Sequence, residues 1–290
     1  MSDAWTIRRL LDWTTDYLKT NGSDTPRLDA EVLLADVRKC QRIMLYTAYD
    51  EVASDDMRAT FRDLVRRRAE GEPVAYLVGH REFFSLDFKV NGSVLVPRPE
   101  TEYIVTTLID LTKERVSQVP APRIVDIGTG SGILAVCAAK HIGSASIVAT
   151  DICPQALQIA VGNAKKHDVA DRMEFIESDL FSNVPPEQSF DFIVSNPPYI
   201  ATGDAAVEQN VVKHEPHVAL FAGEDGLDVI RRLVAESVSR LDVSGYLIME
   251  IGETQSEAVA DLVRGTQQFA EPTLVKDQAG LSRVVVSQRK

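Results

Sequence analysis

Beyond about residue 121 the sequence alternates short apolar runs with helical ones, and few folds accept that rhythm. Residues 123–127, 146–152, 173–176, 190–194, 246–251, 269–275 and 283–286 read as strands. Between them, residues 131–141, a stretch opening at Pro154, residues 227–241 and residues 256–263 read as helices. Pro154 occupies a favoured first-turn position. Strand, helix, strand in sequence predicts a parallel, doubly wound sheet with helices on both faces. Only residues 277–282 separate the last two runs, too few for a parallel crossover, so that pair is expected to be antiparallel. The expected class is α/β, with a mostly parallel seven-stranded sheet.

The start of the chain reads differently. Trp5, Leu10, Leu11, Trp13 and Leu18 recur at helical spacing. So do Leu28, Val32, Leu33, Ala35 and Val37, and then Met57, Phe61, Leu64 and Val65. Asn21-Gly22 and Thr25-Pro26 punctuate the first two helices, and Gly71 and Pro73 close the last long one. Residues 1–80 are therefore expected to form a small N-terminal helical bundle. Two β-rich runs, 83–90 and 94–96, flank Asn91-Gly92, a strong hairpin signal. Residues 81–100 are expected to be a linking β-hairpin, and residues 101–290 the α/β domain.

Composition excludes some functions. A chain of 290 residues can bury a core without disulfides or metals. No apolar run approaches the roughly 18 residues needed to span a bilayer. Residues 1–18 are polar and charged, without a signal-peptide core, so a cytoplasmic protein is expected. Cys40, Cys137 and Cys153 lack both a disulfide framework and metal-ligand spacing, and buried free thiols are expected. His214 and His217 flank Glu215-Pro216 without a third ligand, so no metal is expected. The net charge of -12 argues against an extended phosphate-binding surface and hence against direct nucleic-acid binding. Four arginines between Arg62 and Arg68 read as a solvated helix face. No feature demands a dimer, and a monomer is expected.

The first strand runs into Asp126-Ile127-Gly128-Thr129-Gly130-Ser131-Gly132 and then a helix. Glycines let backbone approach a ligand closely, and a helix start offers free N–H groups. The second strand ends in Asp151, placed to accept from both hydroxyls of a ribose. The glycine spacing is G-x-G-x-G, not the G-x-G-x-x-G that seats a pyrophosphate. The third strand ends at Glu177-Ser178-Asp179-Leu180, where Asp179 could accept from an adenine amine and Leu180 could lie against the ring. Adenine plus ribose without pyrophosphate suggests S-adenosylmethionine.

The fourth strand ends in Ser195-Asn196-Pro197-Pro198-Tyr199. Ligands of open α/β sheets bind beyond the carboxyl ends of the strands, so Asn196 emerges beside the cofactor. An amide nitrogen is a poor nucleophile because its lone pair is delocalised. The Asn196 oxygen can accept one N–H and the Pro197 carbonyl the other. That fixes a planar NH₂ group toward a sulfonium methyl, which is catalysis by positioning. Pro197 and Pro198 stiffen the loop, and Tyr199 can stack on the planar group.

These residues carry a family resemblance. The chain resembles the release-factor glutamine methyltransferases, known as PrmC or HemK. The likeness includes Pro97-Arg98-Pro99-Glu100-Thr101-Glu102, the glycine turn, Asn196 to Tyr199 and Glu215-Pro216 with Ala219-Leu220. It continues through Gly223-Glu224-Asp225-Gly226-Leu227 and Glu250-Ile251-Gly252 with Gln255, and reaches back to Arg27-Leu28-Asp29-Ala30-Glu31 and Gly71-Glu72-Pro73-Val74-Ala75-Tyr76. It implies an S-adenosylmethionine methyltransferase sheet, and methylation of the side-chain amide nitrogen (N5) of the glutamine in the Gly-Gly-Gln loop of class 1 peptide release factors. It also implies that the bundle grips the substrate protein. Gly128 to Gly132, Asp151, Leu180 and Asn196 would face the cofactor, and Asn196 to Tyr199 the substrate. Leu180 stands where the family often carries an aromatic residue. Whether Thr101 or Glu102 closes over the cofactor is left open by spacing.

Two other readings remain. A methyltransferase of the same fold could act on a ribosomal protein glutamine or on a nucleic-acid base nitrogen, the base being splayed into the pocket. A non-catalytic cofactor-sensing protein could also retain the fold.

Overall fold

The computed structural model describes residues 4–205 and 209–290; the first three residues of the expected bundle lie outside the described residues. The chain divides into two compact units, Met1–His80 with Gln209–His214, and Arg81–Glu208 with Glu215–Lys290.

The first unit is helical: α1 (Ile7–Thr20), α2 (Pro26–Arg38), α3 (Met44–Thr47), α4 (Asp55–Ala69) and α5 (Val74–Val78). Side-chain oxygens start two of them. Thr6 accepts from the Arg9 N–H and Ser54 from the Met57 N–H, each at 3.3 Å. Pro26 opens α2, where its missing N–H costs nothing. Leu10, Leu11, Leu18, Leu33, Leu34, Phe61 and Val65 form its core. Trp13, part of the periodic set, is half exposed and stacks on Tyr17 with ring centroids 5.0 Å apart.

The arginine run is only partly a solvated face. Arg66 is exposed, with Asp63 and Glu70 as partners. Arg68 turns inward, and its Nε donates to Asp29 Oδ2 at 2.7 Å. The Ser23 and Thr25 hydroxyls donate to the same carboxylate. Asp29 is buried in α2, so Arg68 is the cation that makes its burial tolerable.

The second unit opens with a hairpin. β1 (His80–Phe83) and β2 (Leu86–Lys89) form a two-stranded sheet. The turn is Phe84-Ser85, with φ of 49° and 60°, not the expected Asn91-Gly92. Two left-handed residues in a two-residue turn match the twist of a hairpin, but neither is the glycine or asparagine that signals one. Tertiary contacts compensate. Glu102 accepts the Phe84 N–H at 2.9 Å, and the Phe84 ring meets His141 edge to face at 5.1 Å. At the end of the hairpin and beyond it, side chains satisfy backbone groups that a partner strand would have taken. The Asn163 amide bonds both the N–H and the carbonyl of Lys89, and Glu215 accepts the Val96 N–H.

Then come α6 (Glu102–Arg115), β3 (Arg123–Ile127), α7 (Ile133–His141), β4 (Ser146–Asp151), α8 (Pro154–Lys166), β5 (Met173–Glu177) and β6 (Phe190–Ser195). They are followed by α9 (Gln209–His214), α10 (His217–Leu220), α11 (Asp228–Arg240), β7 (Leu241–Glu250), α12 (Ser256–Gly265), β8 (Thr273–Lys276) and β9 (Ser282–Gln288). Of these, α9 groups with the helical unit.

The seven-stranded sheet has the order β5-β4-β3-β6-β7-β9-β8. β5, β4, β3, β6 and β7 are parallel, whereas β9 is antiparallel to both β7 and β8. The expected class and its antiparallel closing pair are both present. The run at 269–275 is a shorter strand than expected, because Phe269 forms only an isolated bridge with Arg289. Alternate strand residues serve two cores. Ile124, Val194 and Ile248 pack with α6 and α7 on one face; Val125, Ile193 and Leu247 pack with α11 and α12 on the other.

Arg68→Ala should destabilise the helical unit by about 2–3 kcal/mol, because it strands the buried Asp29 carboxylate while leaving its two hydroxyl partners. Urea denaturation followed by circular dichroism checks this; an unchanged midpoint would remove the pair from the account.

Candidate active site

Strand order reverses at β3, which lies between β4 and β6, and the crevice of such a sheet opens there. Register aligns the strand ends. Ile127 pairs with Thr150 and with Ser195, and Ser195 pairs with Met249. Gly128, Asp151, Asn196 and Glu250 therefore leave the sheet side by side. A cavity of about 270 Å³ sits over this edge. Gly128, Thr129, Gly130, Ser131, Asp151, Asp179, Leu180, Asn196, Pro197 and Pro198, all singled out from the sequence, line it.

The glycine turn is tied from both sides. Asp151 Oδ2 accepts the Gly130 N–H at 2.8 Å, and Oδ1 accepts the Cys153 N–H at 2.9 Å. Asp126 Oδ2 accepts the Thr129 hydroxyl at 2.7 Å and the Ala135 N–H at 3.1 Å. Gly128 and Gly130 have positive φ, and a Cβ at either would meet nothing within 4 Å. Their backbone thus faces open space, which allows close approach by a ligand. Burial pushes the Asp126 carboxyl up to about 7 and raises Asp151 as well, against the lowering effect of their hydrogen bonds.

Two expected residues stand elsewhere. Gly132 is not a lining residue; it caps α7, and a Cβ there would lie 3.1 Å from the Ala160 Cβ. Tyr199 is also absent from the lining, and its phenol donates to Glu250 Oε1 at 3.0 Å. That bond anchors the loop, a task different from stacking on a planar group. Asp179 reaches the cavity but shares its carboxylate with Arg232 at 3.0 Å. Of the pair left open by spacing, Thr101 lines the cavity, and Glu102 instead holds Phe84.

Several residues around the Asn196–Tyr199 loop carry no chemical signature in the sequence. The Ser195 hydroxyl donates to the Ile127 carbonyl at 2.7 Å, joining β6 to β3. Asn196 Nδ2 donates to Thr101 Oγ1 at 3.0 Å, and Thr101 donates to Glu250 Oε2 at 2.7 Å. Asn196 Oδ1 is buried without a partner among the described residues. Gln255 Nε2 donates to the Tyr199 carbonyl at 2.9 Å, while its Oε1 accepts the Gly252 N–H. Glu215 accepts from Arg98 at 2.5 Å and so fixes another lining side chain.

Cys137 is buried, whereas Cys40 and Cys153 are partly exposed, contrary to the expectation for all three. His217 packs edge to face on Phe221. Among the described residues no three His, Cys, Asp or Glu side chains gather closely enough to hold a metal ion. No described helix is long and apolar enough to cross a membrane.

Comparison with known proteins agrees with this architecture. The PrmC N-terminal domain family matches residues 9–79, and the methyltransferase small domain family matches residues 107–230. A release factor glutamine methyltransferase of Rhodopirellula baltica is 46% identical over 98% of this chain and 97% of that protein. The chain belongs to the release factor glutamine methyltransferase family. Another member, from Geobacter sulfurreducens, is 39% identical over 98% of this chain and 96% of that protein. A methyltransferase structure from Pyrococcus furiosus shares the fold at 18% identity, with a TM-score of 0.52 over 78% of this chain and 96% of that one. The catalytic domain of hMettl16 does so at 17% identity, with a TM-score of 0.55 over 78% of this chain and 82% of that one.

The family loop is held so closely that one methyl group should displace it. Gly226 has φ of 74°, and a Cβ there would lie 2.3 Å from the Tyr199 carbonyl oxygen. Gly226→Ala is expected to lower methyl transfer by about a hundredfold through misplacement of Asn196, while the protein still folds. Near-normal turnover in that variant would mean the loop is softer than its contacts indicate.

Proposed function

We propose that this chain transfers a methyl group from S-adenosylmethionine to the side-chain amide nitrogen (N5) of the glutamine in the Gly-Gly-Gln loop of class 1 peptide release factors. The observation that carries the reading is Asn196. Its Oδ1 is a buried acceptor without a partner among the described residues, in a wall of the cavity that also holds the glycine turn and Asp151. Full-length kinship with proteins named release factor glutamine methyltransferase supports the choice of substrate.

The lining residues fit the cofactor. Gly128 and Gly130 present open backbone, and Ile133, Leu134, Leu180 and Val229 supply apolar walls. Asp151 accepts the Gly130 and Cys153 N–H groups and, at the cavity wall, keeps lone-pair capacity for a ribose hydroxyl. When bound, S-adenosylmethionine supplies an electrophilic methyl group on a sulfonium sulfur. Asn196 Oδ1 and the Pro197 carbonyl accept the two N–H groups of the substrate amide and hold its plane still. Their contribution is orientation, which can supply several kcal/mol of the barrier. No strong base is needed, because the nitrogen grows acidic as it is methylated, and its surplus proton leaves toward water.

In this reading residues 1–80 bind the substrate protein, and the exposed side chains of Ile43, Met44 and Val52 offer apolar contact surface there. Residues 81–100 are the linking segment and residues 101–290 the catalytic domain. The protein works in the cytoplasm as a monomer, where release factors act.

Radiolabelled S-adenosylmethionine, incubated with the protein and a purified class 1 release factor, tests the assignment. Label is expected on the wild-type factor and not on a Gln→Ala variant of its Gly-Gly-Gln loop. Label only on ribosomal protein or nucleic acid would instead support the rival substrates. Asp151→Ala is expected to weaken cofactor binding roughly ten- to a hundredfold in calorimetry. Asn196→Ala should abolish transfer while keeping the fold and most cofactor affinity. Normal turnover in that variant would refute the role given to Asn196.

A further inference from the structure

We propose that Glu250 and Thr101 are positioning residues, which together hold the Asn196 side chain with its oxygen free for the substrate amide. The inference rests on the reading of Asn196 as the acceptor for that amide.

An ionised carboxylate only accepts, so the Thr101 hydroxyl, 2.7 Å from Glu250 Oε2, must donate to it. A hydroxyl has one proton. Having given it to Glu250, Thr101 can only accept from Asn196, 3.0 Å away. The group of Asn196 that faces Thr101 must then be the NH₂ end, and the oxygen end is left without a partner among the described residues. An isolated asparagine could turn its amide over at little cost, and the electron-poor NH₂ end would then repel the substrate N–H. Here that flip would set two oxygens against each other without a proton between them. Tyr199 donates to the other carboxylate oxygen, so Glu250 fixes both ends of the Asn196–Tyr199 loop.

Residues distant in sequence build this chain of bonds. Thr101 and Glu250 are both buried, and Glu250 follows Met249, the register partner of Ser195. Gln255, five residues beyond Glu250, holds the Tyr199 carbonyl. The polar and charged groups that act most on Glu250 are the Thr101 hydroxyl, the Tyr199 phenol, the Glu100 carboxylate and the Arg283 guanidinium. Burial pushes its carboxyl up to about 7; Glu100 adds to that, and Arg283 and the two hydroxyls oppose it.

Protonation would undo the device. A neutral Glu250 can donate to Thr101, whose own proton is then free to bond the Asn196 oxygen and hold the amide in the wrong sense. The competent form is the carboxylate, so turnover should rise as pH rises through about 7.

Three variants and one spectroscopic signal test this. Thr101→Val is expected to lower kcat at least about tenfold while the Kd for S-adenosylmethionine stays within about twofold. Thr101→Ser, which keeps the hydroxyl, is expected to recover most of the rate. Glu250→Gln is expected to lose the acid limb of the kcat profile. In ¹⁵N-labelled wild-type protein the Asn196 NH₂ signal, identified by its loss in Asn196→Ala, should move with pH near neutrality and stay fixed in Glu250→Gln. A loss of cofactor affinity in Thr101→Val as large as its loss of rate would overturn the proposal and make Thr101 a cofactor contact. So would an Asn196 signal indifferent to both pH and Glu250→Gln, even if Thr101→Val fails to fold. An Asn196 signal that behaves as expected, with no label on any release factor, would overturn the substrate assignment and leave the positioning chain standing.

Discussion

The parallel pairing of β3 with β4 on one side and β6 on the other is the constraint on which the site depends. Parallel neighbours bring their carboxyl ends to one edge of the sheet. Register then decides which residues stand there, and Ile127, Thr150 and Ser195 lie level. A slip of one residue would swap every side chain between faces and draw Asp151 and Asn196 away from the cavity. The alternation of Ile124, Val125 and Ile127 between two separate cores makes such a slip costly. The apolar faces thus position the polar ends.

The site works against stability. Asp126 and Glu250 are almost completely buried, and both carboxyls are pushed up to about 7. The folded state therefore holds their protons more tightly than the unfolded chain, whose carboxyls titrate near 4. By linkage, these two acids favour the folded state least above pH 7, and stability they would lend as neutral groups is lost as pH climbs from about 4 to about 7. A site built for stability alone would carry apolar residues there. In the proposed positioning chain Glu250 acts as a carboxylate, because only an acceptor without protons forces Thr101, and through it Asn196, into one orientation.

Much of this was legible in the sequence, for identifiable reasons. Buried parallel strands are largely apolar runs, and β4 and β6 each end in polar residues, so Asp151 and Asn196 are placed on one edge by the sequence. Asp179 follows from the end of the third strand, and Gly128 and Gly130 from the glycine spacing of the turn. What escaped depended on distant pairings. The hairpin turns at Phe84-Ser85 because Glu102 and His141 support it, and neither residue carries a turn signal. Arg68 left its helix face because Asp29 lies buried in α2. Glu250, Gln255 and Glu215 appeared only as pieces of a family pattern; their tasks lie in hydrogen bonds to Thr101, Tyr199 and Arg98 that no spacing reveals.

The most direct test of the account is a structure of the protein bound to the cofactor's demethylated product and a peptide carrying Gly-Gly-Gln. The substrate amide nitrogen is expected within hydrogen-bond distance of both Asn196 Oδ1 and the Pro197 carbonyl, with Asn196 Nδ2 still on Thr101. A glutamine amide held by other residues, or an Asn196 oxygen turned onto Thr101, would contradict it.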